Sequence, residues 1–550
     1  MTSRGATTPD ELRRGWRLHP AVSVRPESFG AMTYHFGTRR LSFLKSPRLT
    51  AVVGTLADHP TALDACRAAG VPDGQLPAYV DAIRRLADTG VLVPQDGVPA
   101  SFPASFPATL GEPGTGAAGG AAVGGAVAGG AAGGPATARP GAPGAVPLVE
   151  RFQSGLASPI CLTWELTYAC NLACVHCLSS SGRRDPRELT AEECRAVVDE
   201  LERMQVFYVN IGGGEPTIRR DFWDLLDYAT AHHVGVKFST NGTRITPAIA
   251  DRLAANDYVD VQISLDGATA AVNDAVRGPG SYAAARRAMT YLSEAGFSGF
   301  KVSVVATRHN LDQLDRFLAI ADEHGAQLRI TRLRPSGRGA DAWDDLHPTQ
   351  DQQRALYDWL LAHGDRVLTG DSFFHLAGYG QSLPGLNLCG AGRVVCLIDP
   401  VGDVYACPFT IHDDFKAGNV RDAGGFAGVW ATSPLFGRLR GAQPGGACTA
   451  CSAYGTCRGG CMAAKYFTGL PLDGPDPECV KGHGAAALAA VDRAAAPRPS
   501  ADHSRVPVAL GPTRACDPSP LAGLRLFGPG PAGAGLTGAR LAGTGPEQAG

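Results

Sequence analysis

Three cysteines stand together in Thr167-Tyr-Ala-Cys170-Asn-Leu-Ala-Cys174-Val-His-Cys177. At spacings of four and three residues their thiolates fit one compact loop. A [4Fe–4S] cube needs a ligand at each of its four irons. Three cysteines leave one iron open, and an open position distinguishes a reactive centre from a structural one. On spacing alone, a zinc site of three cysteines completed by His176 is the alternative.

Eight more cysteines crowd the region 389–479: Cys389, Cys396, Cys407, Cys448, Cys451, Cys457, Cys461 and Cys479. Eight thiolates fill two fully ligated cubanes or two four-cysteine zinc sites. In a reducing compartment such clusters read as metal sites rather than disulfides. Cys66, Cys161, Cys194 and Cys516 stand apart and read as small core hydrophobes or spare thiols.

Elements that could position the first loop are legible in the hydrophobic pattern. Six apolar runs read as strands at 160–167, 207–212, 234–239, 258–265, 301–306 and 327–333. Helical spacing occupies 191–204, 221–232, 247–255, 281–295 and 311–324 between them. Alternating strand and helix predicts a parallel sheet with crossover helices. Six units are fewer than the eight of a closed barrel, so the fold class is α/β, a partial (β/α)6 barrel whose open side could admit a peptide.

The loop follows the first strand, and later strand ends carry polar groups in order. Gly212-Gly213-Gly214-Glu215-Pro216 follows the second strand, Ser239-Thr240-Asn241-Gly242 the third, and Ser264-Leu265-Asp266-Gly267 the fourth, with Arg277 beyond. Glycines let backbone approach a ligand, and a carboxylate suits an ammonium group. A hydroxyl and a carboxylate suit a ribose diol, and a guanidinium suits a carboxylate.

Cys-x3-Cys-x2-Cys after the first strand, followed by these motifs, resembles the radical SAM superfamily. The resemblance implies that Cys170, Cys174 and Cys177 hold a catalytic [4Fe–4S] cluster. It implies that its open iron is chelated by S-adenosyl-L-methionine (SAM), which is split to a 5′-deoxyadenosyl radical. It makes Gly213, Gly214, Glu215, Ser239, Asn241, Ser264, Asp266 and Arg277 the expected SAM contacts. The second cysteine group resembles the SPASM domain of peptide-modifying radical SAM enzymes. By that family's interleaved pattern, Cys389, Cys396, Cys407 and Cys461 would hold one auxiliary [4Fe–4S] cluster. Cys448, Cys451, Cys457 and Cys479 would hold the other.

Composition divides the rest of the chain. Residues 1–97 read as strands, then helices, a winged-helix-like plan; 98–147 are a Gly/Ala/Pro-rich linker. Residues 148–340 form the barrel, 341–483 the cysteine-rich domain, and 484–550 an unstructured tail. The run 116–134 is Ala, Gly and a little Val, lacking the residues that drive membrane insertion. The first twenty residues lack the apolar core of a signal peptide. A net charge of −2 suggests no nucleic-acid partner. A cytoplasmic protein is expected.

The first unit is similar to the small mycofactocin chaperones across Gly15-Trp-Arg-Leu-His-Pro20 and Tyr34–Lys45. Its plan resembles peptide-recognition elements that bind a leader peptide by strand addition. The segments Leu162–Tyr168, Val206–Pro216, Leu333–Arg338, Asp371–His375 and Gly459–Lys465 resemble the mycofactocin radical SAM maturases. The chain therefore reads as a fusion of chaperone and maturase. The resemblance implies a precursor peptide ending in Val-Tyr as substrate. Oxidative decarboxylation of the terminal Tyr would come first, then a carbon–carbon bond from the resulting tyramine to Val that closes a lactam. It also implies an electron donor such as a flavodoxin or ferredoxin. Another SPASM maturase making thioether or other carbon–carbon links would share every cysteine. A zinc-stabilised peptide-binding scaffold without catalysis is the alternative from another class.

Overall fold

The computed structural model describes residues 10–96 and 155–498, except 298, 365, 370–372, 384–387, 493 and 494. The expected linker, the far tail, Asp371 and Cys516 lie outside the described residues.

In the N-terminal unit, β1 (Trp16–Leu18) pairs antiparallel with β5 (Leu92–Pro94). Between them, β2 (Val22–Glu27), β3 (Gly30–His35) and β4 (Arg40–Leu44) form an antiparallel meander. Helices Pro47–Thr55, Ala62–Ala68 and Leu76–Asp88 follow. Val52, Val53, Leu56, Cys66, Ile83 and Leu86 fill the core between helices and strands. Strand and helix order match the sequence reading, with the β1–β5 ribbon and the middle helix added. The pattern of β3 predicts a half-buried strand, yet all six of its residues are buried. Ala31 faces the unit's own core, whereas Met32, Tyr34 and Phe36 face Phe207, Ile160 and Val394 of the barrel.

The barrel strands are β6 (Cys161–Thr167), β7 (Tyr208–Gly213), β8 (Gly235–Thr240), β9 (Val259–Ser264), β10 (Lys301–Ala306) and β11 (Gln327–Arg332). All pair parallel with their sequence neighbours. Four short strands that the hydrophobic pattern did not reveal extend this sheet. They are β12 (Val367–Leu368) beside β11, and β13 (Val395–Ile398), β14 (Asp403–Tyr405) and β15 (Lys416–Asn419) beyond β6. At two to four residues each they are too short for periodicity to register. The cysteine-rich region thus continues the barrel sheet, with β13 parallel to β6.

Outward side chains such as Leu162, Trp164, Val236, Phe238, Ile263 and Ile330 pack under the crossover helices. Gly267, before the helix Ala270–Arg277, has no room for a Cβ, which would stand 2.2 Å from the nitrogen of Asn273. Past the cysteines, the expected tail begins with a helix, His483–Ala489, where the run Ala485-Ala-Ala-Leu-Ala-Ala490 favours helix.

The N-terminal unit sits across the N-terminal ends of the barrel strands. Tyr34 stacks on Phe207 and Tyr208 at the start of β7, and Phe36 meets Tyr258 before β9. Arg25 donates to the carbonyls of Ser158, Pro159 and Gln205. Arg39, at the β3–β4 turn, donates to the Val259 carbonyl at 2.7 Å. Catalytic groups of parallel barrels lie at the opposite, C-terminal ends, so this unit closes the floor of the barrel.

Candidate active site

The three-cysteine loop leaves the C-terminal end of β6 and is fastened on several sides. Cys170 donates its N–H to the Gly182 carbonyl at 2.8 Å. Buried Glu188 accepts from the Tyr168 N–H and the Thr167 hydroxyl, at 2.8 and 3.0 Å. From β11's far end Arg338 donates to the carbonyls of Cys174 and Ser181, both at 2.9 Å. Gly337 belongs to the same clasp: its φ is +54°, and a Cβ there would stand 2.3 Å from the Cys177 carbonyl oxygen.

The thiols are crowded. Burial and the neighbouring thiolate of Cys174 push Cys170 well up, and burial raises Cys174 to about 11. Burial also opposes ionisation of Cys177, but Arg338 with hydrogen bonds from Ser179 and Ser181 outweighs it and holds that thiol below its usual range. Three thiols on one loop suit a cation, and a coordinating thiol is deprotonated outright. His176 turns its Nε2 to Asp266 Oδ2 at 2.7 Å, and among the described residues it forms no metal-holding group with the three cysteines.

At the end of β7, Gly214 and Glu215 donate their N–H groups to the carbonyls of Thr167 and Ala169. A Cβ on Gly214 would lie 2.0 Å from the Ala169 oxygen, and one on Gly213 2.7 Å from the Thr167 oxygen. These two glycines are therefore required by packing against the cysteine loop, where the sequence reading gave them to close ligand approach. Gly212 has no heavy atom within 4 Å of a Cβ position, so the open cradle lies there. Glu215 is buried and accepts from Thr217 N–H and hydroxyl, the Thr240 hydroxyl and Asn241 N–H. Burial raises its carboxyl. It knots the ends of β7 and β8 together.

Asn241 accepts from Thr243 and donates to Asn171 of the cysteine loop at 2.9 Å. Ser239 accepts from Gln262 at 3.3 Å, and Ser264 ends β9. Asp266 is fully buried and takes Arg277 Nε at 2.6 Å, His176 and the Val305 N–H. Burial alone would raise its carboxyl; Arg277 and His176 reverse this and hold it well below the carboxylate range. Asp266 is thus engaged as an anchor for Arg277, and the ribose role read from sequence finds its oxygens already bonded. Arg277 in turn brings Nη1 to 4.0 Å from Cys174 Sγ.

The second cysteine group falls into two places. Cys389 and Cys461 act electrostatically on Cys407, and Cys407 on Cys396. Arg334 donates Nε to Cys461 Sγ at 3.3 Å and lies over the ring of Phe409. Elsewhere Cys448, Cys451, Cys457 and Cys479 line one shared pocket. Among the described residues no three His, Cys, Asp or Glu side chains converge on a single metal ion. Zinc would need thiolates about 2.3 Å from one centre, a tighter grouping than the described cysteines make.

Residues 15–93 match the Peptide chaperone MftB family, 164–320 the Radical SAM superfamily and 389–458 an Iron-sulfur cluster-binding domain. The mycofactocin maturase MftC of Mycolicibacterium smegmatis is 70% identical over 385 residues, 68% of this chain and 98% of the relative. The chain belongs to the mycofactocin maturase family. The peptide chaperone MftB of Mycobacterium ulcerans is 58% identical over 92 residues, 17% of this chain and 82% of that protein. Streptococcus suis SuiB, solved with S-adenosylmethionine, shares the fold at a TM-score of 0.56 and 15% identity, over 84% of this chain and 99% of that one.

As a radical SAM maturase of the mycofactocin family, the protein uses SAM and [4Fe–4S] clusters. Some of its site residues escaped the sequence reading. Glu165 and Asp399 are buried carboxyls near the loop, and Tyr168 donates its hydroxyl to Asp399 at 2.8 Å. Arg332 binds Asp476 and Glu478, tying β11 to the loop that carries Cys479. Arg338 lay within a quoted motif without a role. Each is distant in sequence from its partner, so no local signal marks it. No helix among the described residues is long and apolar enough to cross a membrane.

Proposed function

We propose that this protein matures the mycofactocin precursor peptide at its C-terminal Val-Tyr. Cys170, Cys174 and Cys177 would hold the catalytic cluster, and the eight later cysteines two auxiliary clusters divided as the family pattern implies. When bound, the cluster and SAM together supply a 5′-deoxyadenosyl radical. The open space at Gly212 receives the methionine end of SAM, and Arg277, held by Asp266, meets its carboxylate. Ser239, Asn241 and Ser264 line the remaining strand ends.

In the first step a hydrogen atom leaves Cβ of the terminal Tyr. Loss of one electron and CO2 then gives an unsaturated tyramine. The eight later cysteines would hold clusters suited to accept that electron, because four protein thiolates each would leave no iron open to substrate. In a second SAM-dependent step a hydrogen atom leaves the penultimate Val, and the Val radical adds to the double bond of the tyramine to close a five-membered lactam. One electron from the external donor, with a proton, quenches the product radical. The leader of the precursor would add as a strand to β4, whose outer edge carries no other strand among the described residues. A flavodoxin or ferredoxin would deliver electrons, in the cytoplasm.

The observation that carries this reading is the three-thiol loop beside an open Gly212, in a chain 70% identical to a mycofactocin maturase. Mass spectrometry of the precursor after anaerobic incubation with SAM and reductant tests it. Loss of CO2 and two hydrogens is expected. A two-hydrogen loss with CO2 retained would assign the protein to thioether or other cross-link chemistry.

A further inference from the structure

The outer face of the barrel strands is apolar, but the lumen is not. Register sets Thr163, Asn210, Lys237 and Asp260 side by side on β6 to β9. It sets Gln262 beside Lys301, and Ser264, Ser303 and Arg329 in a row above. The residues that alternate with them, such as Val236, Phe238, Val261, Ile263, Leu328 and Ile330, are buried under the helices. Strand alternation therefore turns the polar set inward.

The carboxylate of this layer serves a cation other than Lys237. Asp260 is bound through both oxygens to Lys301 Nζ, at 2.9 and 2.8 Å, and Arg39 stands 3.6 Å away from below. Lys237 is next to Asp260 in register but donates no hydrogen bond among the described residues. Burial, with repulsion from Arg329, lowers its amine to about 8, which leaves it mainly cationic at neutral pH. Asn210 Oδ1 and Gln262 Oε1 are buried with no partner. A half-buried ammonium beside unfilled acceptors suits a ligand that brings an anion and donors.

We propose that Lys237 and Arg329 form a carboxylate-binding subsite in the lumen that takes the α-carboxylate of the substrate peptide's last residue. This rests on the reading that the substrate is a peptide C-terminus. A peptide terminus presents one anion and, a residue back, an amide N–H suited to the empty acceptors. Lys237 lies two residues below Ser239 on β8, roughly 7 Å at 3.3 Å per residue. That depth puts the last residue's Cβ under the strand ends assigned to SAM. The subsite selects a free C-terminus over an internal residue, and loss of CO2 removes the group it holds.

The test measures binding of a short tail peptide, ending in Val-Tyr as the free acid or as the carboxamide. It uses the anaerobic holoenzyme with SAM and no reductant, so that nothing turns over. The acid should bind about tenfold or more tightly, as one charge-assisted hydrogen bond allows. Lys237→Met should bring the ratio near one, Arg329→Met should reduce it, and Lys237→Arg should keep it. Iron content checks that each variant is assembled. If Lys237→Met keeps the preference, or weakens both peptides equally, the subsite is wrong while the maturase reading stands. If the wild-type protein with reductant leaves the full precursor unchanged, the maturase reading falls and the subsite with it.

Discussion

Arg25 joins the chaperone-like unit to the barrel, and its removal should uncouple them. The side chain is 2% exposed. It donates to the carbonyls of Ser158 at 2.9 Å, and of Pro159 and Gln205 at 3.1 Å, and to Glu27 Oε1 at 2.9 Å. Glu27 in turn accepts from the Ala157 N–H at 3.2 Å. Burial lowers Arg25 to about 10, and the same burial raises the Glu27 carboxyl. In Arg25→Met three carbonyls lose a charged donor and Glu27 loses its cation. Breaking a buried pair from one side costs about 3–5 kcal/mol, roughly a 100- to 4,000-fold shift at 1.4 kcal/mol per tenfold. That cost falls on docking, because most partners of Arg25 belong to the barrel. Amide hydrogen exchange reads it directly: protection should fall around 205–208 and 258–260 and persist in β8 and β10. Turnover of leader-bearing precursor should fall toward that of leaderless peptide. Unchanged protection at 205–208 would refute the docking argument.

Other substitutions probe the loop and its surroundings. Gly214→Ala puts a methyl 2.0 Å from the Ala169 oxygen and should displace the cysteine loop, with a loss of about four irons per chain. Gly212→Ala, with no atom within 4 Å, should keep its iron and bind SAM more weakly by equilibrium titration. Asp266→Asn leaves Arg277 buried without its anion and should weaken SAM binding about tenfold or more at unchanged iron content. Asp399 is raised by burial to about 7. The folded state therefore keeps a proton that the unfolded chain has released, and stability falls as pH rises from about 4 to 7. Asp399→Asn removes that loss, a gain of up to about 4 kcal/mol above pH 7 at 1.36 kcal/mol per unit. Thermal unfolding at pH 5.5 and 8.5 checks it, and parallel shifts at the two pH values would contradict it.

The barrel was largely legible because its strands carry long apolar runs bounded by turns, and all six begin within one residue of the reading. The cysteine loop was legible because its ligands are local. Less local features were hidden. The complete burial of β3 depends on a surface more than 100 residues away, since Tyr34 meets Phe207. Gly213 and Gly214 looked like a ligand cradle, but their tight neighbours are the carbonyls of Thr167 and Ala169. Asp266 looked like a diol acceptor until Arg277 and His176 were seen bonded to it. A carboxylate at a strand end serves ligand or fold depending on which donors surround it, and spacing does not name those donors. The lumen charge was likewise invisible, because Lys237, Asp260, Lys301 and Arg329 meet only through barrel register.

The central claim is that Cys170, Cys174 and Cys177 bind the cluster that activates SAM while the other eight cysteines hold two more. Iron quantitation paired with 5′-deoxyadenosine release tests it most directly, on the wild-type protein and Cys174→Ala, both purified anaerobically. Three cubanes predict about twelve irons per chain in the wild type and about eight in the variant, with 5′-deoxyadenosine lost only in the variant. A colourless zinc protein, or a variant that still releases 5′-deoxyadenosine, would contradict it.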